Sequence, residues 1–501
     1  MKRKSVLCLV GALLCFLVPP TLSAANDAGL PPDREQALAK IYEEAKDEFF
    51  ATINKLIATH PQRSELTGDD ALRIRDARTD IPNLFERVMI VAYQKDAPTF
   101  SQWIEKGDQE SLAQFREKFV ELAKDYAARF VGSLFRRLRI YEFTSALPHN
   151  RGKGRLDLVL QSLGYNVKND SPEVPPEQRF SNVIEPDYTS QWTLAAVNAP
   201  KAQEITKGAG VVVAVLDSGL DPYNSLFKDK TVPGFSFLQR TKPPWEEEAT
   251  TTVDWGVHGT VVASTVLLIA PDCLIMPVRV TDGETMNDPV YPNWLFEVMA
   301  AGMYYAVNHG ADIIQFSAPL SASEPVIAQA VRYAYSKNVV VSTSAGNISR
   351  PQWGVPPEEQ MYYSFRTEVL LVGGLEKEGS AIRSWPHTVP HPVMTVAAPS
   401  KDVFVVVPTY IKEMKNDYVA GTSLSSPIVS GVVALMKSAA PPPPEMMARP
   451  GEYVRLVSKC LRETARLDLL GLAEPNDVVG HGVVDAYAAV QKIQQSLSQE
   501  K

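Results

Sequence analysis

The 501-residue chain is long enough for two folded units, and its 45% apolar and 22% charged residues exclude broad disorder. A formal net charge of −8 leaves no basic excess to replace phosphate counterions, so nucleic acid is not an expected partner. Four cysteines are too few for a disulfide framework.

Lys2-Arg3-Lys4, an apolar run over 6–18, the break at Pro19-Pro20 and the small residues Ser23-Ala24-Ala25 form the pattern of a secretory signal over 1–25. The apolar run is too short to cross about 30 Å of hydrocarbon, and no later stretch is long enough. The expectation is an exported chain, periplasmic or extracellular, without a stable membrane anchor. Cys8 and Cys15 fall inside the signal. Cys273 and Cys460 remain. Both are expected as small buried apolar residues, with a bridge between them as the alternative in an oxidising compartment.

Residues 26–168 read as an all-helical N-terminal domain. Asp33 and Gln36 after Pro31-Pro32 have the form of a capping box. From there Leu38, Ile41, Tyr42, Ala45, Phe49, Ile53 and Leu56 recur at helical spacing. A second helix is expected over 81–93. The clearest spans 109–141, with Leu112, Phe115, Phe119, Leu122, Tyr126, Phe130, Leu134 and Leu138 on one stripe, as in a small bundle. One more short helix is expected over 156–163, ended by Gly164. Residues 169–190 hold Pro172, Pro175, Pro176 and Pro186 among polar and acidic neighbours, the composition of a linker.

The rhythm changes over 191–495. Short β-branched runs at 211–216, 274–280, 313–316, 339–344, 369–372 and 394–397 alternate with helical segments. Continuous apolar strands of this kind imply an α/β fold, a doubly wound, mostly parallel sheet with helices on both faces. Asp217, Ser317, Asn347 and Pro399 fall at the C-terminal ends of those strands, the edge where open α/β sheets place their sites.

Gly421-Thr422-Ser423-Leu424-Ser425-Ser426-Pro427 is a sharp turn running into an apolar helix. A serine at a helix start meets free backbone N–H groups and the positive dipole end, which favour a developing oxyanion. Its hydroxyl needs a base, and the base needs an orienting carboxylate. His258 in His-Gly-Thr and Asp217 in Asp-Ser-Gly offer both, in the order Asp, His, Ser with separations of 41 and 165 residues. The other histidines show no metal-ligand spacing, so no metal ligands are assigned. His309 in Asn-His-Gly reads as a structural residue at a helix C-terminus.

The stretch from about 191 to 490 resembles the catalytic domain of the subtilisin-like serine proteases, the subtilase family. The resemblance rests on Asp-Ser-Gly at Asp217, His-Gly-Thr at His258, Ser344-Ala-Gly-Asn347, Thr395-Val-Ala-Ala-Pro399, Gly-Thr-Ser-x-Ser-Ser-Pro at Ser423, and Gly482-Val-Val-Asp485-Ala486 near the end. It implies a serine endopeptidase that hydrolyses peptide bonds of a protein or peptide substrate through an acyl-enzyme. Asp217, His258 and Ser423 would form the triad, and the Asn347 amide with the Ser423 N–H the oxyanion hole. Ser317, Ala318, Pro319 and Leu320 would line the extended substrate. Proline has no N–H to give, so one bond to the substrate strand is expected to be missing at Pro319. Ser264 stands where a glycine is usual, and Asn224 where a histidine is frequent.

No cofactor is required by this chemistry. The resemblance allows calcium as a stabilising ion, with no ligand set mapped: Asp221, Asp229, Asp272 and Asp282 lack a calcium-loop spacing and read as solvated loop charge. By position, 26–168 takes the place of the pro-segment of secreted relatives, which would make the chain a zymogen cut in the linker. A substrate-recruiting domain and a structural appendage stand beside that reading. Two other functions stay open at this point. One is a catalytically limited protein of the same fold that binds extended peptides. The other is a serine esterase or acyltransferase on the same triad. The oligomeric state is not legible.

Overall fold

The computed structural model describes residues 32–60, 85, 89, 97–146, 186–238, 244–246, 257–281, 292–317, 325–348, 367–409 and 417–499. The chain divides into two compact units, an N-terminal helical one and a C-terminal α/β one.

The N-terminal unit is built on helices Pro32–Thr59, Ala97–Lys106 and Gln109–Ala146. The striped residues face its core: Leu38, Ile41, Tyr42, Ala45, Phe49 and Ile53 are buried with Phe115, Phe119, Tyr126, Phe130 and Leu134. Phe85 and Met89, from the expected second helix, are helical and fully buried. Phe115 stacks on Phe119 with centroids 5.2 Å apart, and Phe100 meets Phe115 edge-on at 5.4 Å. The first helix begins at Pro32, where a missing N–H costs nothing. Asp33 therefore lies inside the first turn rather than at a cap. Helix Ala97–Lys106 was not expected from the sequence. It is separated from the long helix only by Gly107, at φ +60°, and Asp108, whose carboxylate accepts the Ser111 N–H at 2.7 Å. The expected helix over 156–163 and most of the linker lie outside the described residues.

The C-terminal unit is organised by one sheet. Its strands are β1 (Val212–Asp217), β2 (Phe235–Ser236), β3 (Leu274–Arg279), β4 (Ile313–Phe316), β5 (Val340–Ser344), β6 (Val369–Glu378), β7 (Ala381–Ser384) and β8 (Val396–Pro399). They run in the order β2-β3-β1-β4-β5-β6-β7, with β8 also paired to β6. Only β6 with β7 is antiparallel. From β1 the chain winds to β2 and β3 on one side, then returns to β4 on the other. The crevice between β1 and β4 is thus the switch point of the sheet, and Asp217 ends β1 while Ser317 follows β4.

Helix Thr422–Ala439 crosses this sheet and is buried from Thr422 to Met436, with Ser423 alone half-buried. A helix apolar all round belongs inside a domain. Ile428, Val429, Val432, Val433 and Leu435 are fully buried, each stabilising the fold by about 1.5–3 kcal/mol. Helix His258–Ile269 shares that core through Val262, Ala263, Val266 and Ile269.

Each expected strand is present within two residues of its expected start. Three details correct or extend the expectation. Residues Pro186–Ser190, assigned to the linker by composition, form a short helix. Its Tyr188 enters the sheet core and donates to the Ser264 carbonyl at 2.5 Å. Ser264, in place of a glycine, is fully buried; its hydroxyl donates to the Val261 carbonyl and accepts the Val406 N–H. Asp221 is not solvated loop charge. It is fully buried, and its carboxylate accepts the N–H of Tyr223 and both the N–H and hydroxyl of Thr409, tying two loops together. Cys273 and Cys460 are free thiols, both buried, as expected.

Candidate active site

Asp217 is the last residue of β1, so the strand's own register fixes where its carboxylate emerges. His258 opens helix His258–Ile269. The two backbones approach so closely that a Cβ on Gly259 would lie 2.1 Å from the Gly219 carbonyl oxygen, and Gly219 itself sits at φ +114°. Both positions therefore require glycine. The result is that His258 Nδ1 lies 2.8 and 3.0 Å from the two Asp217 oxygens. Asp217 also accepts the Ser218 N–H at 2.8 Å, which holds its plane. Its side chain is 5% exposed and that of His258 16%, so the pair is screened little by water.

Ser423 is the second residue of helix Thr422–Ala439, with Gly421 as the N-cap. Its N–H consequently has no acceptor within the helix. Gly421 is itself anchored by its N–H to the Ser400 carbonyl at 2.7 Å, just past β8. A Cβ on Gly421 would stand 3.0 Å from Ser423 Oγ and 3.7 Å from Asn347 Nδ2. The hydroxyl and the amide therefore border the same small space, which a side chain at 421 would fill.

Asn347 follows β5. Its loop is clamped by the Ile348 N–H to the His387 carbonyl at 2.7 Å and by the Val389 N–H to the Gly346 carbonyl at 3.2 Å. Asn347 Oδ1 accepts the N–H and the hydroxyl of Thr422 at 3.0 and 2.9 Å. With the carbonyl end of the amide occupied, the NH₂ end is the one turned towards Ser423. Two N–H donors, one from a helix start and one from a pinned side chain, then border the serine hydroxyl.

Beneath the serine lies a buried polar network. Ser317 Oγ donates to the Ser423 carbonyl at 2.8 Å. Gln315 of β4 donates to Ser317 and to Ser426 at 2.8 Å each, and accepts from Ser430 at 2.6 Å. Ser317 is 2% exposed, and its hydroxyl serves the helix. Ala318, Pro319 and Leu320, expected beside the substrate, lie outside the described residues.

The structure brings Asp217 and His258 into contact and places Ser423 beside Asn347. The sequence reading missed Gln315, Thr422 and Glu246. Gln315 carried a signal, as a lone polar residue inside the apolar run Ile313-Ile314-Gln315-Phe316. Glu246 carried none, since it opens an acidic triplet that reads as surface. Glu246 is in fact buried, and it accepts from Ser218 and Thr260. His309 is structural: its ring stacks on Tyr305 at 3.8 Å and its Nδ1 meets the Tyr305 carbonyl oxygen at 2.8 Å.

Among the described residues, no group of three or more His, Cys, Asp or Glu is arranged to hold a metal ion. Of the loop carboxylates considered for calcium, Asp221 is tied to Thr409, Asp272 pairs with Lys230 at 2.8 Å, and Asp282 lies outside the described residues. Asp221 and Asp272 thus have protein partners of their own.

The profile of the Subtilase family matches residues 208–482, a span that contains Asp217, His258, Asn347 and Ser423. Thermitase of Thermoactinomyces vulgaris is 27% identical over 257 residues, covering 51% of this chain and 85% of its own length. Fervidolysin of Fervidobacterium pennivorans is 27% identical over 330 residues, covering 60% of this chain and 43% of its own length. This chain therefore spans less than half of fervidolysin. The crystal structure of fervidolysin, a keratinolytic enzyme related to subtilisin, matches with a TM-score of 0.49 at 22% identity, over 64% of this chain and 49% of that one. The chain belongs to the subtilase family of serine-type endopeptidases.

Proposed function

We propose that this chain is an exported endopeptidase that cleaves protein or peptide substrates through Asp217, His258 and Ser423. The observation that carries the reading is the contact of His258 Nδ1 with both Asp217 oxygens, at 2.8 and 3.0 Å. A carboxylate at Nδ1 keeps the ring proton there, which leaves Nε2 as the basic nitrogen.

The steps follow from that tautomer. His258 Nε2 takes the Ser423 proton as Oγ attacks the peptide carbonyl. The tetrahedral oxyanion is met by the Ser423 N–H and the Asn347 amide. Asp217 stabilises the imidazolium, which then protonates the leaving amine. Water enters, the same nitrogen takes its proton, and the acyl-enzyme is hydrolysed. The backbone of 317–320 pairs with the extended substrate. Export rests on the basic and apolar signal pattern of 1–25. The helical region 26–168 is the pro-domain, and 169–185 the place of its removal.

A fluorophosphonate probe on the purified protein, read by intact mass beside Ser423→Ala, tests this. Labelling at Ser423 that is absent from the variant is expected. A labelled species shorter than the full chain, with the variant uncut, is the expected sign of self-processing. Turnover of casein, not of esters alone, separates an endopeptidase from an esterase. Protein that takes no label even after trimming within the linker overturns the reading and leaves a peptide-binding scaffold.

A further inference from the structure

Pro244–Glu246 forms a short strap beside the end of β1. The Leu220 N–H donates to the Pro244 carbonyl at 3.1 Å, and the Glu246 N–H to the Leu220 carbonyl at 3.0 Å. The strap delivers the Glu246 side chain, 5% exposed, between the two segments that carry the acid and the base of the triad. One carboxylate oxygen accepts the Ser218 hydroxyl at 2.8 Å and the Thr260 N–H at 3.0 Å; the other accepts the Thr260 hydroxyl at 2.5 Å. Ser218 follows Asp217 by one residue, and Thr260 follows His258 by two.

The direction of these bonds is set by their surroundings. Ser218 Oγ already accepts the Gly259 N–H at 2.8 Å, and Thr260 Oγ1 already accepts the Asp221 N–H at 2.8 Å. Both hydroxyl protons are thereby turned towards Glu246. Three donors converge on the carboxyl group, an arrangement matched to its ionised form. Among the described residues, the charged or titratable side chains on the elements around it are Asp217, Asp221, His258 and Arg279. Arg279 is engaged by donating to the Trp245 carbonyl at 2.8 Å.

We propose that Glu246 is a positioning residue for the triad: as a carboxylate it ties Ser218 to Thr260 and so holds Asp217 and His258 in register, and its protonation loosens them. This rests on the triad reading above. Burial pushes the Glu246 carboxyl up to about 7, and the Asp217 charge adds to the rise, against the opposing bonds from Thr260 and Ser218. The sign for stability is the reverse of a simple structural tie. Between about 4.5 and about 7 the native state holds this proton and the unfolded chain does not, so ionisation lowers stability as pH rises through that window. A buried charge kept in the face of that loss is consistent with service to the site.

The test is the rate of fluorophosphonate labelling at Ser423 as a function of pH, for wild type and Glu246→Gln. In wild type the limiting rate should fall with two protons as pH drops, that of the general base and that of Glu246, the latter from about pH 7. The variant should melt no lower than wild type at pH 8 and bind the probe as well. It should label roughly tenfold to hundredfold more slowly, as a small misplacement of reacting groups does, with a one-proton acid limb. Equal labelling rates, or a slowing uniform in pH with the two-proton limb retained, overturn the proposal. If the variant does not fold, the wild-type limb decides: one proton overturns the proposal, two protons support it. Wild type that takes no label at all removes the protease reading itself, an outcome distinct from these.

Discussion

The Ser317 hydroxyl donates to the carbonyl of Ser423 at 2.8 Å, and that carbonyl lacks its usual helical donor because the residue four along is Pro427. A residue past the end of β4 thus completes the first turn of the helix that carries the serine. Ser317→Ala leaves the buried carbonyl without this partner, at a cost of about 1–3 kcal/mol in stability. It should also slow labelling of Ser423, by roughly tenfold for a misplacement of this kind. Ser317→Thr keeps the donor and should restore most of both. Denaturant midpoints beside labelling rates check this; an alanine variant equal to wild type in both refutes it.

Asn347 is aimed by Thr422 rather than by its own loop alone. Asn347→Ala should reduce turnover on the order of 10²–10³-fold with KM little changed, since the lost amide acts on the transition state. Thr422→Val removes one of the two bonds to Oδ1 and should give a smaller loss of the same kind. A matching rise in KM in place of the fall in kcat would assign Asn347 to substrate binding instead.

Asp217→Asn should keep the fold and lose about 10⁴-fold in turnover, because an amide favours the wrong imidazole tautomer at His258. The pH profile of the residual activity is the discriminating readout. Activity near wild type at neutral pH would mean that Asp217 does not orient His258.

His391 supplies a pH signature in stability. It is 3% exposed, and its Nδ1 accepts the Val393 N–H at 3.3 Å, a bond that needs the neutral ring. Burial pushes its pKa down from 6.5 to about 4. Between those values the unfolded chain binds the proton and the native state does not, so this contribution to stability is present above about 6.5 and is lost as pH falls towards 4. His391→Asn, which keeps an acceptor without a titration, should flatten the slope of the melting midpoint over that interval. An unchanged slope removes His391 as its source.

Cys273 and Cys460 are buried free thiols, and burial pushes Cys273 up to about 12 and raises Cys460 as well. Neither should react with a thiol reagent in the native protein, and both should react after unfolding without reductant. Native labelling of either, or the need for reductant, would contradict the packing.

Much of the site was legible because its chemistry demands particular residues at strand and helix ends. Asp217, His258 and Ser423 stand out in sequence since each follows or opens an element whose apolar pattern is plain. The helical stripes were legible for the same reason: a period near 3.6 survives whatever the helix packs against. Helix Ala97–Lys106 was missed because only two residues, Gly107 and Asp108, separate it from its neighbour and mark the break.

What escaped the sequence were residues whose role depends on what comes close in space. Glu246 reads as surface charge, and Asp221 as loop charge. Both become buried acceptors because backbone N–H groups and hydroxyls from distant segments converge on them. Ser317 reads as a cleft residue, yet its hydroxyl turns inward to an acceptor that Pro427 leaves open. By itself the sequence determined the order of the elements and the parallel sheet, and it singled out Asp217, His258 and Ser423 as candidates, since these follow from local pattern and residue chemistry. Only the tertiary structure decided which polar groups are removed from water together. A buried donor or acceptor must find a partner wherever the fold brings one, and that partner's distance along the chain has no bound.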